Sequence, residues 1–202
     1  MTVNDIQQAC AFNSGRTGTE RHGDLKIHNN ERSRARRIPM AEKIEVREEW
    51  KSQIGVDSPP WTYEVTTTSV RAFARGVGYT DPVYYDTDAA QAAGYRNLPA
   101  PPCYLGTPVF IPGKSDDTFS GPLTAGVDFA QFGLVNVLDG GSEVEYFDVI
   151  CAGDTLTAVS RLVGLDVRES KALGQMLILS FEMEYKNQNK VVMVSRGQAI
   201  LY

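Results

Sequence analysis

The last third of the chain contains four long runs of β-branched or alternating residues, separated by turns of only a few residues. Such runs are typical of strands, and Gly, Asp, Asn and Ser at the breaks are typical of turns. The turns are too short for crossover helices, so the strands are predicted to pair antiparallel as a meander. The runs are residues 143–150, 155–167, 176–185 and 191–201, with turns at 152–154, 168–170 and 186–189.

The first half of the chain combines one predicted strand with helices. Residues 61–66 alternate large and polar side chains, as a strand does. Thr67 or Thr68 is expected to N-cap a helix that ends at Gly78, and Asp86 to N-cap a shorter helix that ends at Gly94. The first helix has an apolar stripe at Val70, Phe73, Ala74 and Val77. One strand, helices and then four strands predict an α+β domain with a curved antiparallel sheet around a helical segment.

The length and charge of the chain limit its class. With 202 residues and 42% hydrophobic residues, one domain is predicted over residues 40–202. Residues 1–39 hold seven Lys and Arg against four Asp and Glu, which leaves 13 against 21 for the remainder. This polar leader is interpreted as a disordered extension or a misassigned start upstream of Met40. The net charge of −5 disfavours nucleic acid as a partner, and no apolar run is long enough to span a membrane.

The cysteines and histidines limit the chemistry. Cys10, Cys103 and Cys151 are odd in number and widely spaced, which predicts neither a disulfide framework nor a metal site and favours a cytoplasmic location. His22 and His28 both lie in the leader, so the predicted domain has no histidine. Histidine is the side chain that most readily moves protons near neutral pH. We therefore expect this domain not to perform acid–base chemistry on its own.

Several segments together resemble a known family. They are residues 73–78, 80–86, 89–90, 93–95, 98–102, 139–141, 143–147 and 152–156. The combination resembles the MaoC-like acyl-CoA hydratases and dehydratases, in particular the FAS1-like dehydratase branch, over about residues 45–202. The resemblance implies a hot-dog fold: an antiparallel sheet of about five strands wrapped around a central helix and preceded by short helices. It also implies pairing with a second hot-dog domain.

The residues expected for catalysis in this family are absent. Catalytic members carry Gly-Asp-x-Asn-Pro-x-His after the first helix, and a glycine at the start of the central helix donates its N–H to the thioester oxygen. On this chain the Asp position is Tyr79 and the His position is Tyr84. The Asn position is Asp81, while Pro82 is retained. The glycine donor falls on Pro102, which has no N–H.

Each candidate site residue has a functional and a structural interpretation. The expected substrate-binding residues are Tyr79, Asp81, Pro82, Tyr84, Pro101, Pro102 and Cys103, and the tyrosines are equally explained as packing. Asp81 and Asp86 are the remaining catalytic candidates, although capping of a turn or helix is the favoured role for Asp86.

Two of these residues and two arginines also have competing interpretations. Cys103 is expected to be a buried apolar residue rather than a nucleophile. Pro102 is expected at the first position of the central helix. Arg161 and Arg168 have two interpretations. They are either ligands of the CoA phosphates or solvent-exposed residues on the face of a strand.

The resemblance and the missing residues lead to one functional hypothesis. The chain is predicted to be an acyl-thioester-binding, non-catalytic subunit of a heteromeric (R)-specific 2-enoyl-CoA hydratase or 3-hydroxyacyl dehydratase. A partner hot-dog subunit would supply Asp and His. The alternative is a homodimeric acyl-CoA thioesterase or acyl-CoA-binding regulatory module. No metal or redox cofactor is expected, because CoA or acyl-carrier pantetheine arrives with the substrate. The acyl group is left open.

Overall fold

The computed structural model describes residues 43–109 and 133–202, which form a six-stranded antiparallel sheet. The leader and the predicted polar loop at 113–121 lie outside the described residues, whereas Pro102, the predicted first residue of the central helix, lies within them. The sheet order is β2-β1-β4-β5-β6-β3. The strands are β1 (Trp61–Glu64), β2 (Thr107–Pro108), β3 (Val137–Tyr146), β4 (Thr155–Ser170), β5 (Gly174–Asn187) and β6 (Lys190–Leu201).

Short helices lie before the sheet and between its first two strands. They are α1 (Glu48–Lys51), α2 (Thr67–Val77), a 3₁₀ turn (Pro82–Tyr84) and α3 (Thr87–Ala92). The α+β hot-dog architecture predicted from the sequence is therefore confirmed. Strand β2, which has only two residues and pairs with β1, raises the number of strands from about five to six.

The meander prediction is right for three strands and wrong for β3. Strands β4, β5 and β6 pair in sequence as antiparallel hairpins, but β3 pairs with β6 instead of β4. Both edges of β4 are already occupied, one by β5 and the other by β1, where Trp61 lies opposite Ala158. The free edge of β6 is therefore the one that accepts β3. The predicted turn at residues 168–170 is also wrong, since β4 extends to Ser170.

The start and end of α2 follow from local hydrogen bonds. Its N-cap is Thr66, not Thr67 or Thr68, because Thr66 has an extended backbone and its side chain accepts the N–H of Ser69. The Ser69 hydroxyl in turn accepts the N–H of Thr66, which completes a capping box. At the other end Gly78 has φ +81°, a left-handed conformation that favours glycine.

The buried side chains form two clusters. The first cluster packs the helical segment against the strands near the start of β4. Leu156 is the largest residue that β4 contributes to it. The second surrounds Trp50 of α1 and includes Leu162, Leu177 and Leu179. On β4 the residues Leu156, Ala158 and Leu162 are all buried, so alternation places one face of this strand against both clusters.

Candidate functional site

The segment that joins α2 to α3 begins as a Schellman motif. The N–H of Tyr79 donates to the carbonyl of Ala74, and the N–H of Gly78 donates to that of Arg75. This closure turns the chain sharply at Gly78, so that Tyr79 leaves the helix axis directly after α2. The signal was local, namely a glycine following an amphipathic stripe, and the predicted end of the helix is confirmed.

The two carboxylates of this segment cap short helices. Asp81 Oδ1 accepts the N–H of Val83 at 3.0 Å, and Asp86 Oδ1 accepts the N–H of Ala89 at 2.9 Å. Both aspartates are exposed, and Asp86 is the N-cap of α3 as the sequence predicted. Each carboxylate thus stabilises its own local turn.

Tyr79 and Tyr84 form a stacked pair. Their ring centroids are 5.6 Å apart with an interplanar angle of 25°. Tyr84 is buried, and burial together with Tyr79, Tyr95 and Asp81 raises its pKa to about 12. The backbone carbonyl of Tyr79 accepts a 2.5 Å hydrogen bond from the Tyr85 hydroxyl, which fixes the start of the segment. Pro82, which lies between Tyr79 and Tyr84 in the sequence, is exposed.

The second predicted segment is a tight turn and not the start of a helix. The N–H of Tyr104 donates to the carbonyl of Pro101 at 3.0 Å, and Cys103 has φ +66°. Pro at the second and a left-handed residue at the third position are typical of a type II turn. The expectation that Pro102 begins a helix is therefore wrong. Pro101 and Pro102 are buried, as their apolar rings allow.

Cys103 does not have the buried position that the sequence suggested. The residue is exposed and has a left-handed backbone, whereas the two prolines before it are buried. Its sulfur is not a free thiol, so the nucleophile interpretation has no support. The buried cysteine with a free thiol is Cys151, and burial raises its pKa.

Tyr146 connects the two segments and was not among the predicted site residues. Its hydroxyl accepts a hydrogen bond from the N–H of Cys103 at 2.8 Å. The residue is buried at the end of β3. Burial raises the pKa of Tyr146, the bond from Cys103 opposes this rise, and nearby Tyr79 adds to it. The hydrogen bond thus joins the end of β3 to the turn at Cys103.

An ion pair between the half-exposed Arg96 and the buried Asp154 lies beside the segment that leads to the turn. Arg96 donates two hydrogen bonds to the carboxylate of Asp154, which also accepts the N–H of Cys151. Burial by itself would raise the pKa of Asp154, but these bonds outweigh it and the pKa is lowered. Beside this pair, backbone hydrogen bonds join Leu98 to Ala152. The segment that leads into Pro101 is thereby tied to the start of β4.

The two arginines weighed as phosphate ligands lie elsewhere. Arg161 forms ion pairs with Asp57 and Glu182, so its guanidinium already has carboxylate partners. Arg168 is exposed near the end of β4, about 40 Å along the strand from Leu156. Neither residue is brought to the tyrosine site by the described part of the structure.

Two further tests concern metals and membranes. Among the described residues, no group of three or more His, Cys, Asp or Glu side chains is arranged to hold a metal ion. Over the same ranges, no helix combines the length and apolar character needed to cross a bilayer.

Comparison with known proteins identifies the family. The model of the FAS1-like dehydratase domain region matches residues 52–196. The chain belongs to this family. A UPF0336 protein from Saccharopolyspora erythraea is 31% identical to this FAS1-like dehydratase domain over 155 residues, which cover 74% of this chain and 92% of the relative. A UPF0336 protein from Leifsonia xyli is 32% identical over 117 residues, covering 58% and 68%.

A solved structure shows the same fold. The ChsH1-ChsH2 complex from Mycobacterium tuberculosis contains a chain that superposes with a TM-score of 0.58 at 20% identity. The superposition covers 72% of the FAS1-like dehydratase domain chain and 88% of the other chain. At this level of identity the similarity establishes the hot-dog fold.

Proposed function

We propose that this protein binds an acyl thioester as the non-catalytic half of a two-subunit enoyl-thioester hydratase or dehydratase. The observation that carries the proposal is the replacement of the family's Asp and His by stacked tyrosines on a preserved scaffold. With a pKa of about 12, Tyr84 stays protonated at neutral pH and does not act as a general base. Residues 40–202 contain no histidine to replace it.

The two aspartates of this segment are poor replacements for the missing Asp and His. Asp81 and Asp86 are both exposed and both accept backbone N–H groups in helix caps. A carboxylate that serves as general acid is usually raised in pKa by burial, which an exposed cap does not provide. This geometry supports a partner as the source of the proton-transfer groups. It also disfavours hydrolysis by these carboxylates.

The edge of the sheet supports the need for a partner. β3 is an outermost strand, and its first seven residues are all exposed. Val137 is 60% exposed and Leu138 is 42% exposed, and Val135 just before them is 67% exposed. An edge strand with apolar side chains is a site for pairing with another chain. We assign this edge to contact with the second hot-dog subunit, which would carry Asp and His.

The proposal is tested by reconstitution. The isolated chain and its mixture with a hot-dog protein bearing Asp-x-x-x-x-His are assayed for hydration of trans-2-enoyl-CoA by loss of the enoyl absorbance. We expect no turnover by the isolated chain. The mixture should hydrate the enoyl-CoA. The matched control replaces the histidine of the added protein with alanine, which should abolish activity while the complex still forms in gel filtration.

Two results would contradict the proposal. Turnover of enoyl-CoA by the isolated chain would show that it carries its own proton-transfer groups. Release of free thiol from acyl-CoA by the isolated chain would favour hydrolysis instead, and titration calorimetry with acyl-CoA and with free CoA would then separate binding of the acyl group from binding of CoA.

A further inference from the structure

The hydroxyl of Tyr146 accepts a hydrogen bond from the turn at Cys103. A phenol can accept a hydrogen bond and donate one. The oxygen of Tyr146 accepts the N–H of Cys103 at 2.8 Å, and Tyr146 itself is 7% exposed. Within residues 43–109 and 133–202, no group accepts the proton of this hydroxyl. That proton is therefore available to a ligand at the site.

The neighbouring backbone offers no alternative donor. Pro101 and Pro102 have no N–H. The N–H of Cys103 already donates to Tyr146, and the N–H of Tyr104 already donates to the carbonyl of Pro101. Every residue of this turn is consequently excluded as a backbone donor. Tyr146 is the group that extends hydrogen bonding from the turn towards the site.

The bond from Cys103 also makes the phenol a stronger donor. An oxygen that accepts a hydrogen bond polarises its own O–H, and the effect is larger in a buried environment. The hydrogen bond holds the phenol against the turn that contains Pro101 and Pro102, which are predicted substrate-binding residues. The donor is thus fixed at the position where the family resemblance places the thioester carbonyl.

We propose that the Tyr146 hydroxyl donates a hydrogen bond to the carbonyl oxygen of the bound thioester, in place of the backbone N–H that Pro102 lacks. This inference rests on the thioester-binding function proposed above. Such a hydrogen bond would make the protein prefer ligands that carry the thioester carbonyl. A neutral hydrogen bond of this kind contributes about 1 kcal/mol, which corresponds to about a fivefold difference in affinity.

The test compares two ligands that differ only at the carbonyl. Octanoyl-CoA and its thioether, S-octyl-CoA, are titrated against the full chain and against Tyr146→Phe, which keeps the aromatic ring. The control is Tyr104→Phe, because Tyr104 is also buried and its hydroxyl lies near Thr107. We expect the wild type and the control to prefer the thioester about fivefold. Tyr146→Phe should bind both ligands with the affinity of the thioether.

Three outcomes have distinct meanings. Loss of the thioester preference, with unchanged thioether affinity, supports the inference and shows that the variant is folded. An equal loss for both ligands, or an unchanged preference in Tyr146→Phe, overturns it and leaves Tyr146 as a support for Cys103. Binding of neither ligand by the wild type, alone and in the reconstituted complex, overturns the proposed function itself.

Discussion

The guanidinium of Arg96 forms two hydrogen bonds with the carboxylate of Asp154, whose side chain is only 5% exposed. These residues are 58 positions apart in sequence. Their pairing ties the end of the helical segment to the start of β4, beside the turn that positions Cys103 against Tyr146. The turn of the candidate site is thus next to an ion pair that belongs to the structural framework.

Asp154→Ala is expected to destabilise the protein by about 2–3 kcal/mol. It removes the acceptor of a charge-assisted pair and leaves the N–H of Cys151 without its partner. Urea denaturation followed by circular dichroism measures the change. Glu48→Ala is the control, because its ion pair with Lys51 is exposed and contributes less than about 0.5 kcal/mol. Equal stability of the two variants would contradict a structural role for the Arg96–Asp154 pair.

The same pair predicts a loss of stability in acid. The pKa of Asp154 is lower in the folded state than in the unfolded state, so its contribution is complete above the unfolded pKa of about 4. As the pH falls below that value, the unfolded state binds a proton first and the contribution is lost progressively. Asp154→Asn should therefore show a shallower fall in unfolding free energy between about pH 5 and pH 2. Parallel curves for wild type and variant would be the opposite result.

Gly197→Ala is expected to destabilise the sheet by about 1–3 kcal/mol. The Phe181 ring on β5 covers Gly197 on β6, and an added Cβ would lie 2.6 Å from Phe181 Cζ. Phe181→Leu in the same chain should recover part of the loss, which a double-mutant cycle measures. Gly164→Ala is the matched control, since its Cβ would lie 3.5 Å from Ser180 Cβ, an ordinary contact. Additive effects of the Gly197 and Phe181 changes would refute the contact.

Substitutions of Asp86 separate capping from catalysis. Asp86→Asn keeps an oxygen for the N–H of Ala89, so stability should change by less than about 0.5 kcal/mol. Asp86→Ala loses the cap of α3 and should cost about 1 kcal/mol. In the reconstituted complex both variants should retain turnover close to wild type. A large loss of turnover in Asp86→Asn, with unchanged stability, would assign the carboxylate to the chemistry.

Much of the secondary structure was accessible from local patterns. Alternating β-branched residues predicted the strands of the last third, and glycine after an amphipathic stripe predicted the end of α2. The errors lie where local signals were equal: Thr66, Thr67 and Thr68 are all capable N-caps, and only the backbone geometry at Thr66 selects it. Residues 168–170 resemble a turn, but pairing with β5 keeps them extended.

The local structure of the candidate segments was predicted in part. The helix end at Gly78 and the cap at Asp86 follow from neighbouring residues and are confirmed. The hydrogen bond between Cys103 and Tyr146 was not predicted, because it spans 43 positions and has no periodic signature. The position of Cys103 was misjudged for a related reason. It is exposed and has a left-handed backbone in the turn, which hydrophobicity does not indicate.

The sequence by itself determined the α+β content through its short-range periodicity, the family resemblance through its combination of motifs, and the absence of histidine from residues 40–202 through its composition. Only the tertiary structure decided that β3 joins β6, that Tyr146 meets Cys103 and that Arg96 meets Asp154. These are contacts between distant segments, and competition for sheet edges and buried hydrogen-bond partners selects them only after the chain has folded.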